Sequence, residues 1–599
     1  MLRSKLMATL IIIVMAAVLI TGCSQTVAGR PADKSFTLYV GHVSASLPAT
    51  YMPWLSNADI STTLASLVYD TLFNYDDETD QFTGRLAKNW SYVVPPERVS
   101  DSQDYLEVRV ELDPSAKWSD GKPVTAKDIY FTLDLAADFG RTNHAGALAW
   151  IGDLRHTYTR NASGGYALSR QGVFYKDKPG SYTFKEGEEN VVYLHVRKVL
   201  GAITPLFTTI TILPEHKWNV ISPSNQLNTT DPVPAMRSLY NNPVGSGPYT
   251  IDTANSNSSI VVLNKRTDYH LRDKAGKDLY KPDKIKVINY MDINVAINAL
   301  KKGDIDVINS TVDSAYVENL TKEPGLKLDF AAGVFAQTLV LNLNPPDNFR
   351  TPERATLAIP EVRTAIALAI DQKNLIDSVL RGRGAPVPAG LVAGFEPFYN
   401  PNVVVTQPNI NEATRLLESI GYTLQPGQKI RSKDGVKLSY KVSGSVANRN
   451  LINYLKVQLE KVGIEVEFED GGSNAVKDRY YTGNFDMTIQ GVIFRMTNVD
   501  MMMTAHFMTI GSSSNYGRLV DPRLAAKIEE MRTTLNSASK IILLKDIQKL
   551  VADLHYKIPL YSAEIISVYR TDIYEGWTTA NGSSIFNTDT LQNLKFKSR

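Results

Sequence analysis

The sequence predicts an α/β protein built around parallel β-sheets. Segments rich in apolar and β-branched residues alternate with amphipathic helical segments along the chain. Several predicted helices are followed directly by glycine, the usual helix stop. The chain has 599 residues, 43% of them hydrophobic and 21% charged, so it can bury a large core. Strands joined through helices normally pair in parallel.

The first such unit lies between residues 259 and 308. Residues 259–263 and 284–290 have the composition of strands, 295–300 are helical, and 305–308 form another strand. Gly303 is expected to end the helix. This order is a β-α-β unit.

The same order recurs in the second half of the chain. Residues 411–420 and 450–462 are predicted helices, and 437–442 and 464–468 are predicted strands. Both helices precede glycines. A second α/β layer is therefore expected.

A helix start is specified in detail near residue 125. Thr125 is the predicted N-cap, Asp128 is the acidic N3 residue, and Val124 with Ile129 can form a hydrophobic staple. Core packing and capping explain these residues without a functional role.

The N-terminus has the features of an export signal. Arg3 and Lys5 precede an apolar run over residues 6–20, which is short for a membrane span. The run ends in Ile-Thr-Gly before Cys23, which resembles the lipobox of bacterial lipoproteins. The resemblance implies a signal peptide over 1–22, palmitate-type lipidation at Cys23, and a tether over 23–34 on the extracytoplasmic face of the cell membrane. The alternative is an ordinary signal peptide or anchor helix with an incidental cysteine.

Charge and cysteine content exclude several classes. Without Arg3 and Lys5 the chain has 62 basic and 62 acidic residues, which argues against nucleic acid as a partner. Cys23 is the only cysteine, so the mature chain has no disulfide and no thiolate metal site.

No catalytic motif is present in the sequence. The eight histidines lack the HExxH spacing, and neither a GxSxG elbow nor a Walker A sequence occurs. We therefore expect no catalytic residues, no metal and no cofactor, and binding rather than catalysis. An enzyme whose acid and base residues meet only in the fold stays open.

Ten segments resemble one family. They occur in the order and spacing of the peptide/nickel class of ABC-transporter solute-binding proteins. The segments are LASLVYDTLFNYD from Leu64, GRLAKNW from Gly84, AKWSDGKPVTAKDIYFTLD from Ala116, ILPEHKW from Ile212, NPVGSGPYTI from Asn242, ALKKGDIDV from Ala299, VRTAIALAIDQKNLIDSVLRGRGAPVPAG from Val362, VGIEVEF from Val462, FDM from Phe485 and IPLYSA from Ile558.

The resemblance implies a two-lobed, periplasmic-binding-protein-like (type II) fold that closes on its solute about a hinge. Lobe I comprises residues 35–77, 213–332 and 559–599, with an extra subdomain at 78–212 inserted in it, and lobe II comprises 333–558. The turns around Ser119 and Gly245 are scaffold in this interpretation. No function is assigned to the 141–200 insertion.

The resemblance also implies ligand contacts. The strand end after GDIDV indicates Asn309 and Ser310, the second hinge indicates Tyr561, and the N-terminal loop indicates Trp54 and Asn57. The alternative for each is ordinary packing or surface polarity.

The segment after FDM departs from the peptide-binding pattern. Relatives carry there an Asp that pairs with the α-ammonium of the peptide, whereas this chain has Arg495, or Thr497 if Asp500 is aligned with a later acidic residue. Phe494 precedes them. An unpaired buried ammonium is costly, so the solute either lacks a free α-amine or meets another acid.

These features predict a monomeric, lipid-anchored solute-binding protein of an ABC importer. Its partners would be a small solute, with oligopeptides or dipeptides expected first, and the membrane subunits of a permease. Two alternatives stay open, namely an oligosaccharide or other non-peptide solute in the same role, and an extracytoplasmic hydrolase or adhesion lipoprotein. The identity and affinity of the solute and the cognate permease are not encoded in any motif.

Overall fold

The computed structural model describes most of the chain from Phe36 onward. The described residues are 36–44, 47, 59–76, 81–92, 105–132, 156–160, 166–170, 173–174, 189–197, 208, 210–218, 243–333, 335–392, 398–493, 499–508, 514–534, 536–579 and 582–597. Within these ranges no helix is long and apolar enough to cross a membrane.

The described strands are numbered in chain order. They are β1 Thr37–Val43, β2 Phe73–Asp76, β3 Gln81–Gly84, β4 Ala87–Tyr92, β5 Tyr105–Leu112, β6 His156–Arg160, β7 Tyr166–Arg170, β8 Val173–Phe174, β9 Val191–Arg197, β10 Tyr249–Ile251, β11 Ile260–Lys265, β12 Lys284–Tyr290, β13 Val307–Ile308, β14 Leu326–Ala331, β15 Phe335–Leu341, β16 Gly384–Ala385, β17 Ser432–Lys433, β18 Val436–Lys437, β19 Ser439–Gly444, β20 Glu465–Asp470, β21 Met487–Ile493, β22 Lys557–Ala563, β23 Ile565–Arg570, β24 Tyr574–Glu575 and β25 Lys595–Phe596.

The helices are numbered in the same way. They are α1 Asp59–Val68, α2 Glu215–Trp218, α3 Ile293–Lys302, α4 Val317–Thr321, α5 Pro352–Ala355, α6 Pro360–Ala369, α7 Gln372–Leu380, α8 Ile410–Ser419, α9 Arg449–Glu460, α10 Ser473–Thr482, α11 Val499–Phe507, α12 Pro522–Thr533, α13 Ser537–Leu554 and α14 Thr588–Asn593. Residues 126–132 are also helical.

Two large sheets form the centres of two lobes. The lobe I sheet has the order β10-β11-β12-β1-β13-β23-β14, and the lobe II sheet has the order β16-β22-β15-β21-β19-β20. In lobe I, β1 pairs in parallel with both β12 and β13. In lobe II, β19 pairs in parallel with β20 and β21. The predicted parallel pairing is therefore confirmed for these strands. Both sheets are nevertheless mixed, because β10, β11, β14 and β23 pair antiparallel in lobe I, and β15, β16 and β22 pair antiparallel in lobe II.

Helix stops explain why the predicted elements end where they do. Gly303 follows α3 with a φ of 83°, and its N–H bonds to the carbonyl of Leu300 at 3.1 Å. Gly421 and Gly463, which follow the helical segments of lobe II, have φ values of 90° and 76°. Glycine adopts this left-handed conformation without the steric cost that a Cβ brings.

Within the described ranges, the chain passes between the lobes twice. The first passage leads from β14 to β15, and the second leads from β22 to β23 through Glu564. Since β22 pairs with β15 in the lobe II sheet, the second passage falls at Glu564, after the boundary predicted between 558 and 559. The IPLYSA segment begins as a lobe II strand because its apolar residues Ile558 and Leu560 belong to the lobe II core.

The region predicted as an inserted subdomain contains smaller antiparallel sheets. One has the order β4-β5-β9-β8, and β6 with β7 forms a two-stranded pair. β3 pairs with β2, which belongs to the lobe I segment before the predicted insertion. Asp128 ties this region to lobe I, because its carboxylate accepts hydrogen bonds from the backbone N–H of Thr125 at 2.8 Å and of Glu215 at 2.8 Å. The predicted reach-back to Thr125 is confirmed, while the hydroxyl of Thr125 donates to this carboxylate as well.

Two of the most recognisable sequence motifs meet at one buried arginine. Arg266 donates to the carbonyls of Gly245 at 3.3 Å and Gly247 at 3.2 Å. It also donates to the carbonyls of Lys117 at 3.0 Å and Trp118 at 3.3 Å. The guanidinium thus joins the AKWSDG turn to the PVGSGP turn, and this arrangement supports their interpretation as scaffold.

Candidate functional site

The strand directions place the carboxyl ends of the parallel strands of both sheets at the hinge. These two ends of the sheets are called here the lobe I edge and the lobe II edge. β14 and β13 are both antiparallel to β23, so β14 ends at the same edge of lobe I as the parallel strands β1, β12 and β13. β15 is antiparallel to β21, so β15 begins at the edge where β21 ends. The carboxyl ends of the parallel strands in the two lobes therefore flank the hinge. In open α/β sheets, ligands bind outside these ends.

The lobe I edge is polar. Ser44 and Asn289, at the ends of β1 and β12, exchange hydrogen bonds of 2.8 Å and 3.0 Å. Asn309 directly follows β13, and its N–H donates to the carbonyl of Gly41 at 2.8 Å. His42 is the next residue of β1 and is buried. Imidazole, amide and hydroxyl groups are thus collected at one edge.

Asn309 anchors the C-terminal segment to this edge. Its side chain is 6% exposed, and its Oδ1 accepts a hydrogen bond of 3.0 Å from Ser584. Its Nδ2 is buried and has no hydrogen-bond partner among the described residues. A buried donor without a partner costs about 1–3 kcal/mol.

The lobe II edge carries an unpaired stretch of strand. β19 pairs with β21 only at Met487 and Thr488. Beyond Thr488, no strand pairs with β21 on that side in the part of the chain that the structure describes. The last residues of β21, up to Ile493, therefore extend past the carboxyl end of β19. The carbonyl of Ile489 accepts a hydrogen bond of 3.3 Å from the hydroxyl of Tyr480. The strand edge that can receive another strand is therefore the part of β21 around Gly491.

Three neighbouring strands bring a row of residues to this edge. Gln337 of β15 lies opposite Gly491 of β21 on one side and opposite Tyr561 of β22 on the other. Gly491 is exposed, and a Cβ built on it would lie 3.6 Å from the Phe335 ring and 3.7 Å from Nε2 of Gln337. Phe335 is 44% exposed. The amide of Gln337 and the ring of Phe335 thus flank the exposed backbone of Gly491.

Tyr561 is half-buried and packs against the lobe II core. Burial raises the pKa of its phenol, so the hydroxyl stays protonated at neutral pH. A protonated phenol can donate a hydrogen bond as well as accept one.

The hinge itself is held by contacts between its two passages. Ser562 donates to the carbonyl of Gly333 at 2.9 Å. The guanidinium of Arg383 in lobe II lies 4.3 Å from the ring centre of Phe330 in lobe I, and 3.5 Å from the Glu564 carboxylate. These contacts fix the hinge beside the candidate site.

The sequence-predicted contacts fall into two groups. Asn309, Ser310 and Tyr561 lie at the two edges described above, with Ser310 half-buried beside Asn309. The others lie outside the described residues, and so does the predicted lipidation site. These are Trp54, Asn57, Phe494, Arg495, Thr497 and Cys23. The ligand-binding role of each remains a prediction.

Sequence reasoning missed Phe335, Gln337 and Gly491. Gly491 carried a usable signal, because a glycine inside a strand often marks close approach of a ligand or another backbone. Phe335 and Gln337 carried none, since FAQTLVL has the apolar composition of an ordinary core strand. In the described residues, no group of three His, Cys, Asp or Glu side chains could hold a metal ion.

Comparison with known proteins finds a matching family model and related chains. Residues 81–513 match the family model described as bacterial extracellular solute-binding proteins, family 5 Middle. Two relatives come from Agrobacterium fabrum. "Probable peptide-binding protein YejA" is 23% identical, with 74% of this chain and 70% of the relative covered. "Peptidoglycan-binding protein YepA" is 23% identical, with 83% and 79% covered.

A solved structure has the same fold. It is the mannohexaose-bound periplasmic oligopeptide-binding protein of an oligopeptide ABC transporter from Thermotoga maritima. The TM-score is 0.70 at 20% identity, with 95% of this chain and 100% of that chain covered. The two-lobed fold expected from the sequence is confirmed.

Proposed function

Because the chain belongs to the family 5 bacterial extracellular solute-binding proteins, we propose that it captures a peptide between its two lobes and delivers it to the permease of an ABC importer. The family is extracytoplasmic and consists of solute-binding proteins rather than enzymes. Two relatives are named for peptide binding, "Probable peptide-binding protein YejA" and the oligopeptide-binding protein OppA of Lactococcus lactis.

The observation that carries the proposal is the unpaired edge of β21 beside Gly491. An extended peptide can add to such an edge through main-chain hydrogen bonds, which are the same for every sequence. The bare Gly491 leaves room for the peptide backbone to approach. Asn309, across the hinge, offers the buried donor for a carbonyl or carboxylate of the same solute.

Closure of the lobes accompanies binding in this proposal. Since the two edges belong to different lobes, a solute that contacts both holds the hinge closed. Small-angle scattering should show a smaller radius of gyration with the true solute. A true solute that leaves the radius unchanged contradicts closure.

A second candidate is an oligosaccharide or a sugar-bearing peptide. Phe335 favours it, because an exposed aromatic ring beside an amide can stack on a sugar face while the amide binds hydroxyl or acetamido groups. Removal of Phe335 should then weaken binding of sugar-bearing solutes more than binding of plain peptides.

The proposal includes a lipid anchor at Cys23 and a monomeric chain. A lipidated cysteine with two or three acyl chains holds a protein stably, whereas one chain does not. Replacing Cys23 with Ser should release a normally folded protein from the membrane. A Cys23→Ser protein that stays membrane-bound after signal processing has another anchor.

Mass spectrometry tests the solute directly. The full-length protein is purified from its native host and denatured, and the released small molecules are identified. Peptides among them support the proposal, and oligosaccharides or muropeptides support the second candidate. A preparation that binds neither tri-alanine, N-acetyl-tri-alanine nor any host-derived solute contradicts both.

A further inference from the structure

A lysine lies in the core of lobe II where apolar residues would be expected. Lys557 is the first residue of β22 and is 1% exposed. It faces the helical layer formed by α11, α12 and α13, because its strand partner Val340 belongs to the core shared with those helices. Lysine is rarely this buried unless it is paired.

Three polar groups surround the amine. Nζ of Lys557 donates to Oε1 of Gln490 at 2.8 Å and to the carbonyl of Ser514 at 2.7 Å. It lies 2.6 Å from Nδ1 of His506. The rings of Tyr556 and Phe507 are centred 5.5 Å and 5.9 Å away. The three hydrogens of an ammonium, or the two hydrogens and lone pair of an amine, can all be satisfied here.

None of these described contacts of Lys557 is a carboxylate. Burial lowers the pKa of Lys557 well below that of an exposed lysine. The pKa of His506 is lowered by burial and then by Lys557. An unfolded chain therefore binds protons that the folded chain lacks, so this cluster makes folding less favourable as the pH falls. A contribution of this cluster to the stability of the folded chain therefore does not explain why Lys557 is buried here.

The hydrogen-bond partners of Lys557 offer a better explanation for a buried lysine at this position. Gln490 is the neighbour of Gly491 on β21, and His506 lies in the last turn of α11. Ser514 belongs to the segment between α11 and α12. One side chain on β22 therefore bonds to the strand with the open edge and to the helix that follows it in the chain.

We propose that Lys557 is a positioning residue for solute binding, which holds the open end of β21 in place against α11. It acts through Gln490 and touches no solute itself. The inference rests on the proposed function, in which that strand end receives the solute.

Lys557→Met tests the proposal, because methionine keeps an unbranched stem up to the Cε position but has no amine, so the hydrogen bonds of Nζ are removed. The full-length variant and the natural protein are compared in binding of tri-alanine and N-acetyl-tri-alanine, and in hydrogen exchange of the β21 amides. The expected result is at least tenfold weaker binding, with faster exchange over residues 489–493 and unchanged exchange in β1 and β12. The melting temperature should also depend less on pH between 7 and 10.

Gln548→Met is the matched control. Gln548 is equally buried in the same helical layer, and it bonds to Asn400 and Phe398 rather than to β21. This variant should leave exchange over 489–493 and the affinity unchanged. If both variants weaken binding equally, Lys557 acts only through general stability and the proposal is wrong.

Two further outcomes keep the test decisive. If Lys557→Met does not fold, Gln490→Leu removes only the partner on β21 and should give the same local exchange and weaker binding. If the natural protein binds neither probe, the proposed function is in question, but exchange over 489–493 still decides whether Lys557 positions β21. Unchanged hydrogen exchange over residues 489–493 in both Lys557→Met and Gln490→Leu overturns the inference.

Discussion

Gly245 in lobe I and Gly491 in lobe II are both glycines with ordinary backbone conformation, yet they are glycine for opposite reasons. A Cβ on Gly245 would lie 1.9 Å from the carbonyl oxygen of Val68. A Cβ on Gly491 would meet nothing closer than 3.6 Å. Close packing against the backbone of Val68 requires glycine at position 245, whereas no neighbouring atom requires it at position 491. The space beside Gly491 is not filled by the protein itself.

The two glycines show that the most easily recognised motif of the chain is not its candidate binding site. The turn around Gly245 is part of the most easily recognised motif of the chain, and the backbone of Val68 and the guanidinium of Arg266 pack against it. Gly491 lies in an undistinguished strand, but it borders the open edge of β21 and the exposed Phe335. A close-packed motif therefore indicates scaffold, and unfilled space at a strand end indicates a binding surface.

The largest effect is expected for Gly245→Ala. The added methyl group cannot fit without moving the backbone of α1, so unfolding should become easier by about 3 kcal/mol, the upper end of overpacking effects. Denaturant titration followed by the fluorescence of tryptophans such as the buried Trp118 measures the loss. Gly491→Ala is the control and should change stability by less than about 0.5 kcal/mol. Equal losses in the two variants would remove the distinction.

Arg266→Met should destabilise the same junction by about 2–3 kcal/mol. The substitution keeps much of the packed stem but leaves the buried carbonyl of Gly247 without its Arg266 donor. The carbonyl of Gly245 loses one of two donors, because the N–H of Ser119 still bonds to it at 2.8 Å. The same titration measures the change, and solute affinity should stay the same. Weaker solute binding in a folded Arg266→Met protein would show that this junction is not scaffold alone.

The Arg495→Ala variant tests whether the segment that follows Gly491 in the chain contacts the solute. If Arg495 pairs with an anionic group of the solute, its removal should weaken binding by about 1.5–3 kcal/mol, or ten- to a hundredfold. A surface arginine should change binding by less than about 0.5 kcal/mol. Titration calorimetry with acidic or N-blocked solutes distinguishes the two. Tight binding of free-amine peptides, insensitive to N-acetylation and to this substitution, would exclude a role in reading the solute N-terminus.

Gly491→Val should give the smallest of the four effects, a loss of about tenfold in affinity, or about 1.4 kcal/mol. The branched side chain fills the space beside Phe335 and Gln337 that a solute backbone would use. Stability should change little, because valine is favourable in strands. Unchanged affinity for the solute found by mass spectrometry would place the binding site elsewhere.

The amino-acid sequence by itself determined the local elements of this protein. Gly303 and Gly463 end helical segments because glycine alone enters the left-handed conformation at low cost, and Asp371 begins α7 because its carboxylate accepts the N–H of Asn374 at 3.0 Å. These signals act over three or four residues. The alternation of strands and helices also predicts parallel pairing, since strands connected through helices return in the same direction. It does not predict the antiparallel strands that the same two sheets contain.

Only the tertiary structure decided which residues meet at the candidate site. Gln337, Gly491 and Tyr561 come from distant parts of the chain and become neighbours through the order β22-β15-β21. Lys557 likewise has the apolar surroundings of a core strand in sequence, and its partners Gln490 and His506 lie more than fifty residues away. Periodicity predicts which face of a strand is buried, but strand order is set by packing of the whole sheet, so these juxtapositions have no local signal.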